Sequence, residues 1–135
     1  MALSAQDALI YLMVVTAAAD TDISSVELDR ISSLSERLPV FEGYNRDRLA
    51  QMAGDCVDLM GKVDDLNKIL DIALAALPSR LHDTAYALAV EIAAVDLELE
   101  QEELRWLEMM RDRLDLDRLT TAAIEVSARA RLRKA

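Results

Sequence analysis

Glycine and proline are nearly missing from this chain of 135 residues, which has three of one and two of the other. A β-sandwich or barrel needs a turn about every 8–12 residues, so the shortage excludes a strand-rich fold. One cysteine, Cys56, leaves no internal disulfide and no multi-cysteine metal site. It reads as a small buried apolar group in a reducing compartment. One histidine, His82, leaves no imidazole cluster and no pair of Glu-x-x-His motifs for a di-iron bundle. No Gly-x-Ser-x-Gly elbow accompanies that histidine, so nucleophilic hydrolysis has nothing to stand on. Carboxylates alone can run acid–base chemistry, but so few glycines and such short loops leave little room for a substrate cleft. The expectation is a protein that is not an enzyme. The longest apolar run, Ala8 to Ala19, is too short to span a bilayer and has no basic start before it. A cytoplasmic location and no stable membrane insertion are expected.

What is present is helix-forming and acidic. Ala, Leu, Glu, Asp and Arg dominate, 53% of residues are hydrophobic, and 25 acids face 15 bases for a net charge of −10. Such a surface repels nucleic acid and anionic lipid, so the expected partner is another protein, of a kind the sequence does not name, with homo-oligomerisation left open. Arg129, Arg131, Arg133 and Lys134 close the chain. Removing those four from 15 bases leaves 11 against 25 acids, or −14, over residues 1–128. The basic end reads either as a last helical turn complementing its dipole or as a docking tail.

The pattern predicts an all-α fold: a single compact domain over 1–135, a bundle of about seven helices. Ser4 with Asp7 starts the first helix, whose stripe is Leu9, Leu12, Met13, Thr16 and Ala19. Ser24 and Glu27 have capping-box spacing, and Ile23 and Leu28 can form a hydrophobic staple. Leu28, Ile31, Leu34 and Leu38 make the second stripe, which Pro39 stops. Residues 39–44 are a loop, and Asn45 caps a third helix stopped at Gly61. A fourth runs from about Val63 to Leu77, with Asp64 and Asp65 in its first turn. Ser79 opens a fifth through to about Val95, a sixth covers Gln101 to Leu114, and Asp117 caps a seventh with Leu119, Ala122, Ala123 and Val126 inward. His82 is placed at the surface and Glu91 on the solvent side. Met52, Met60, Met109 and Met110, with Tyr86 and Trp106, are placed in the core.

A repeat lies beneath this. Shifting the sequence by 76 residues aligns 9–38 with 85–114, with nine of thirty positions identical. Chance in a Leu- and Ala-rich chain gives roughly three identities. The matches include Leu12/Leu88, Ala17/Ala93, Ala18/Ala94, Asp20/Asp96, Glu27/Glu103, Leu28/Leu104 and Leu38/Leu114. Helical periodicity alone explains the apolar matches. It does not explain the acids. The expected architecture is therefore two related helix–loop–helix units about a pseudo-twofold.

Both copies read Ala-Ala-x-Asp-x-acid-aliphatic-x-x-x-Glu-Leu. This resembles the tellurite-resistance TerB-like family, all-helical domains in which an Ala-rich helix runs into an acidic turn and a Glu-containing helix near each end. The resemblance covers about 60 of the 135 residues. It implies a non-catalytic, stress-associated module holding a divalent cation, with Asp20, Asp22, Glu27, Asp96, Glu98 and Glu103 as ligands. Thr21 and Leu97 stand where family members often have Gly, a departure that bears on the loop's shape. Hard cations such as calcium or magnesium take six or more oxygens, which two converging turns supply better than one. No organic cofactor is expected. The turn is not an EF-hand, which would need acids at Thr16 and Ala18 and a Gly at Thr21. A second role stays open for each acid: Glu27 and Glu103 also fit the inner position of a capping box, and the others fit helix ends and turns. On that alternative the chain is a metal-free helical scaffold for protein–protein interaction.

Overall fold

The computed structural model describes residues 3–18, 25–94 and 101–135, with side chains in the sixth helix described from Leu104 onward. It is all-helical over those residues. The helices are α1 (Ala5–Ala18), α2 (Ser25–Arg37), α3 (Asp47–Lys62), α4 (Asn67–Ala76), α5 (His82–Ala93), α6 (Gln101–Leu114) and α7 (Arg118–Leu132). Single 3-10 turns at Pro39–Phe41 and Ser79–Leu81 lead into α3 and α5. None of these helices is long and apolar enough to cross a membrane.

Composition decides which helix sits in the middle. From Ala8 to Val15 α1 is apolar on every side, and a helix without a polar face has nowhere to go but inside. Every residue from Asp7 to Ala18 is buried. The sequence reading gave α1 a stripe; the structure gives it a sheath. It packs against α2, α3, α4, α5 and α6. The Ala-rich α5 is the second interior helix, buried from Ala85 to Ala93 apart from a half-buried Ala87. It touches α1, α2, α6 and α7. The two helix pairs thus contact each other crosswise, α2 on α5 and α6 on α1.

Local chemistry sets the ends. Ser4 and Asp7 form a reciprocal capping box: the Asp7 N–H donates to Ser4 Oγ at 3.0 Å and the Ser4 N–H to Asp7 Oδ2 at 3.2 Å. Asp117 Oδ1 accepts from the Thr120 N–H at 2.8 Å and caps α7. Asn45, expected to cap α3, instead closes a turn just before it, its Oδ1 accepting from the Asp47 N–H at 3.0 Å, and the cap position falls to Arg46. Three boundaries differ from expectation. Gly61 does not stop α3, which runs on to Lys62. The fourth helix starts only at Asn67 because the Asp65 carboxylate takes the Asn67 N–H at 2.9 Å, closing a turn first. α5 begins at His82 after the 3-10 turn.

Two helices are rotated from their expected faces. In α2 the inward positions are Glu27, Ile31, Leu34 and Ser35, while Leu28 is 43% exposed and Val26 56%. In α7 the buried residues are Thr121 and Ala128, with Ile124 half-buried; Leu119, Ala122, Ala123 and Val126 are exposed. Both shifts follow from helices with apolar residues on more than one side, where spacing gives the period but not the phase.

One buried polar bond ties the repeat units together. Trp106 Nε1, on the fully buried indole of α6, donates to Thr16 Oγ1 of α1 at 2.8 Å, and that hydroxyl donates to Leu12 O at 2.7 Å. Replacing Thr16 with the near-isosteric Val leaves the indole N–H without an acceptor, which costs about 1–3 kcal/mol. Urea unfolding of Thr16→Val should show a lower midpoint with an unchanged slope.

Candidate functional site

The six expected ligands divide sharply. Asp20, Asp22, Asp96 and Glu98 lie outside the described residues, and Glu103 is in the first turn of α6 with its side chain undescribed. Glu27, in the first turn of α2, is 4% exposed. It takes the inward position that Val26 and Leu28 on either side leave to it. Among the described residues no three carboxylate, thiol or imidazole groups gather as a metal cluster.

What the described residues fix is where the helix ends lie. Thr16 is in the last turn of α1 and Trp106 in the second turn of α6. Their hydrogen bond brings the C-terminal end of α1 and the N-terminal part of α6 to one end of the bundle. From Gln101 to Trp106 is about 7.5 Å along the helix axis, so the start of α6 is one and a half turns from that contact.

A second feature lies between α5, α6 and α7. A cleft of about 190 Å³ has Val90, Ala93, Leu107 and Ala128 among its lining residues, with Tyr86, Glu125 and Arg111 also against it. Tyr86 Oη donates to Glu125 Oε2 at 2.6 Å, and Arg111 approaches the same oxygen at 3.4 Å. Burial pushes the Tyr86 phenol well above its ordinary value, and the Glu125 carboxylate pushes it further. The phenol is thus a fixed donor, not an acid. The cleft is smaller than the roughly 300 Å³ at which ordinary small-molecule sites begin.

One further ion pair and a half-buried histidine differ from the sequence expectation. Glu91, expected on the solvent side, is 7% exposed. It is clamped by Arg131, whose Nη1 and Nη2 donate to its two oxygens at 3.0 and 2.8 Å. The pair joins α5 to α7, which gives one cation of the basic end a structural role. His82 is half-buried, not at the surface, and its Nδ1 lies 3.3 Å from Leu114 O. Cys56 is buried, 3.6 Å from Tyr11 O, and burial pushes its thiol up to about 12. Burial thus keeps it in the thiol form.

Asp7 anchors the opposite end of α1. Besides its capping bonds it accepts from Tyr44 Oη at 3.1 Å and from Arg48 Nη2 at 2.9 Å. Burial works to raise its carboxyl, but the Ser4 N–H, Arg48, the Ser4 side chain and Tyr44 together hold it below the usual range. Burial and the adjacent Asp7 charge push the Tyr44 phenol up to about 12. Gln6 completes the anchor, its Nε2 donating to Val40 O and Glu42 O at 3.1 Å each. This network holds the 39–44 loop.

The sign of the pH effect follows. A carboxyl with a depressed folded-state pKa stabilises the fold above its unfolded value, near pH 4, and that contribution is lost as pH falls. Asp7→Asn should cost about 1–3 kcal/mol at neutral pH. In denaturant titrations across pH, the gap between Asp7→Asn and the parent chain should close below about pH 4.

Comparison with protein-family models, with curated proteins and with solved structures finds no match to this chain.

Proposed function

We propose that this chain is a non-catalytic binding module whose two acidic elbows hold one divalent cation of the calcium type. The ligands in this reading are Asp20, Asp22 and Glu27 from the first elbow and Asp96, Glu98 and Glu103 from the second. The observation that carries it is the Trp106–Thr16 bond, which puts the end of α1 beside the early turns of α6. Helices that finish and start at one end of a bundle give the acids that follow and precede them a common place to meet. Glu27 stands in the first turn of α2, the helix that follows the first elbow. Oxygen ligands without imidazole or thiolate suit a hard cation. The resemblance of both copies to TerB-like proteins points the same way and suggests a role in stress or tellurite resistance through a protein partner. Tellurite itself is an anion, which a surface of net charge −10 repels.

A metal-free scaffold is the second reading, and one observation favours it: large apolar side chains stand in solvent on α7, Leu119 at 81% and Val126 at 55%. Calorimetry and thermal melts with calcium chloride, magnesium chloride and a chelator separate the two. Binding to the folded state alone raises stability by about 2.7 kcal/mol when the ion is at a hundred times its Kd, and the melting temperature rises with it. The double variant Asp20→Asn, Asp96→Asn should lose that shift, because helix caps tolerate Asn while a cation site loses charge. Absence of heat and of any melting shift at millimolar calcium leaves the scaffold.

A further inference from the structure

We propose that the outer face of α7 is a self-association seam, on which a second copy of this chain packs α7 antiparallel to α7. Leu119, Ala122, Ala123, Val126 and Ala130 are all exposed. They fall on one side of the helix, opposite the buried Thr121 and Ala128. A helix apolar on the side away from its own core is unfinished. Its occupant is indicated by size and by charge.

Antiparallel alignment about a point between Ala123 and Val126 lays Leu119 over Ala130 of the second copy and Val126 over its Ala123. Each large side chain meets a small one, which lets the two helices approach closely. The charges are polarised along the same axis. Ahead of α7 stand Asp112, Asp115 and Asp117, all exposed, with Arg118 against them; Arg113 there is already engaged by Asp71 and Asn67. Toward its far end stand Arg129, Arg133 and Lys134, also exposed, while Arg131 is engaged by Glu91. Antiparallel packing sets Asp115 against Lys134 and Arg133 of the second copy; parallel packing sets like against like. A lipid surface fits less well, since interfacial helices rely on Trp, Phe and several Leu, and this face offers mainly Ala on a protein of net charge −10. The seam is one helix of 15 residues, about 22 Å long, and so falls short of a standard permanent interface. The dimer is reversible and salt-sensitive.

Sedimentation velocity of the full chain, from micromolar to millimolar and at low and half-molar sodium chloride, tests this. The expected result is a monomer–dimer equilibrium that high salt shifts toward monomer. Leu119→Lys and Val126→Lys should each weaken it about tenfold or more, with melting temperatures unchanged at dilutions where the parent chain is monomeric, because both positions are exposed. Asp115→Lys should weaken it as well, and adding Lys134→Asp should restore it. A monomer at every concentration overturns the proposal. So does a dimer indifferent to Val126→Lys, a charge swap that restores nothing, or binding to phosphatidylserine vesicles by a chain that stays monomeric in solution.

Discussion

Everything in this fold is arranged around a helix that has no side to show to water. Because α1 is apolar all round, five other helices must cover it, and each polar atom it carries inside must find a partner. It carries few. Asp7 at its start collects three donors, the Ser4 N–H, the Tyr44 hydroxyl and Arg48, while its own N–H donates to Ser4 Oγ. Thr16 near its end spends its hydroxyl twice, on Leu12 O and on the Trp106 indole. The two polar groups mark the two ends of the helix. One fastens the 39–44 loop and α3, and the other fastens the second repeat unit.

The same economy governs Glu91. Glu91 sits in the apolar middle of α5, where an unpaired charge would be costly, and the bidentate Arg131 fork from α7 answers it. A chain of net charge −10 thereby uses several of its arginines as fasteners: Arg48 on Asp7, Arg131 on Glu91 and Arg111 on Glu125.

Much of this was legible in the sequence where the signal is local. The Ser4–Asp7 box, the Asp117 cap and the span of α6 all follow from residues within a turn of one another. Phase was less legible. Glu27 turned in and Leu28 turned out because α2 has apolar residues on two sides, and α7 was assigned the wrong face for the same reason. Partners distant in sequence left no local trace: Arg131 lies 40 residues from Glu91, and Trp106 lies 90 from Thr16. Of the candidate site, the repeat revealed which acids match. Matching acids do not reveal a distance, and among the described side chains only Glu27 bears on it.

The single tryptophan offers the most direct test of the central claim, that the acidic elbows meet at the Trp106 end of the bundle to hold one ion. Terbium(III) replaces calcium in oxygen sites and emits when a nearby indole is excited. Exciting Trp106 in the presence of stoichiometric terbium should give terbium emission that saturates at one ion per chain and is quenched by excess calcium. Terbium that stays dark under tryptophan excitation, at concentrations where it would fill such a site, contradicts the account.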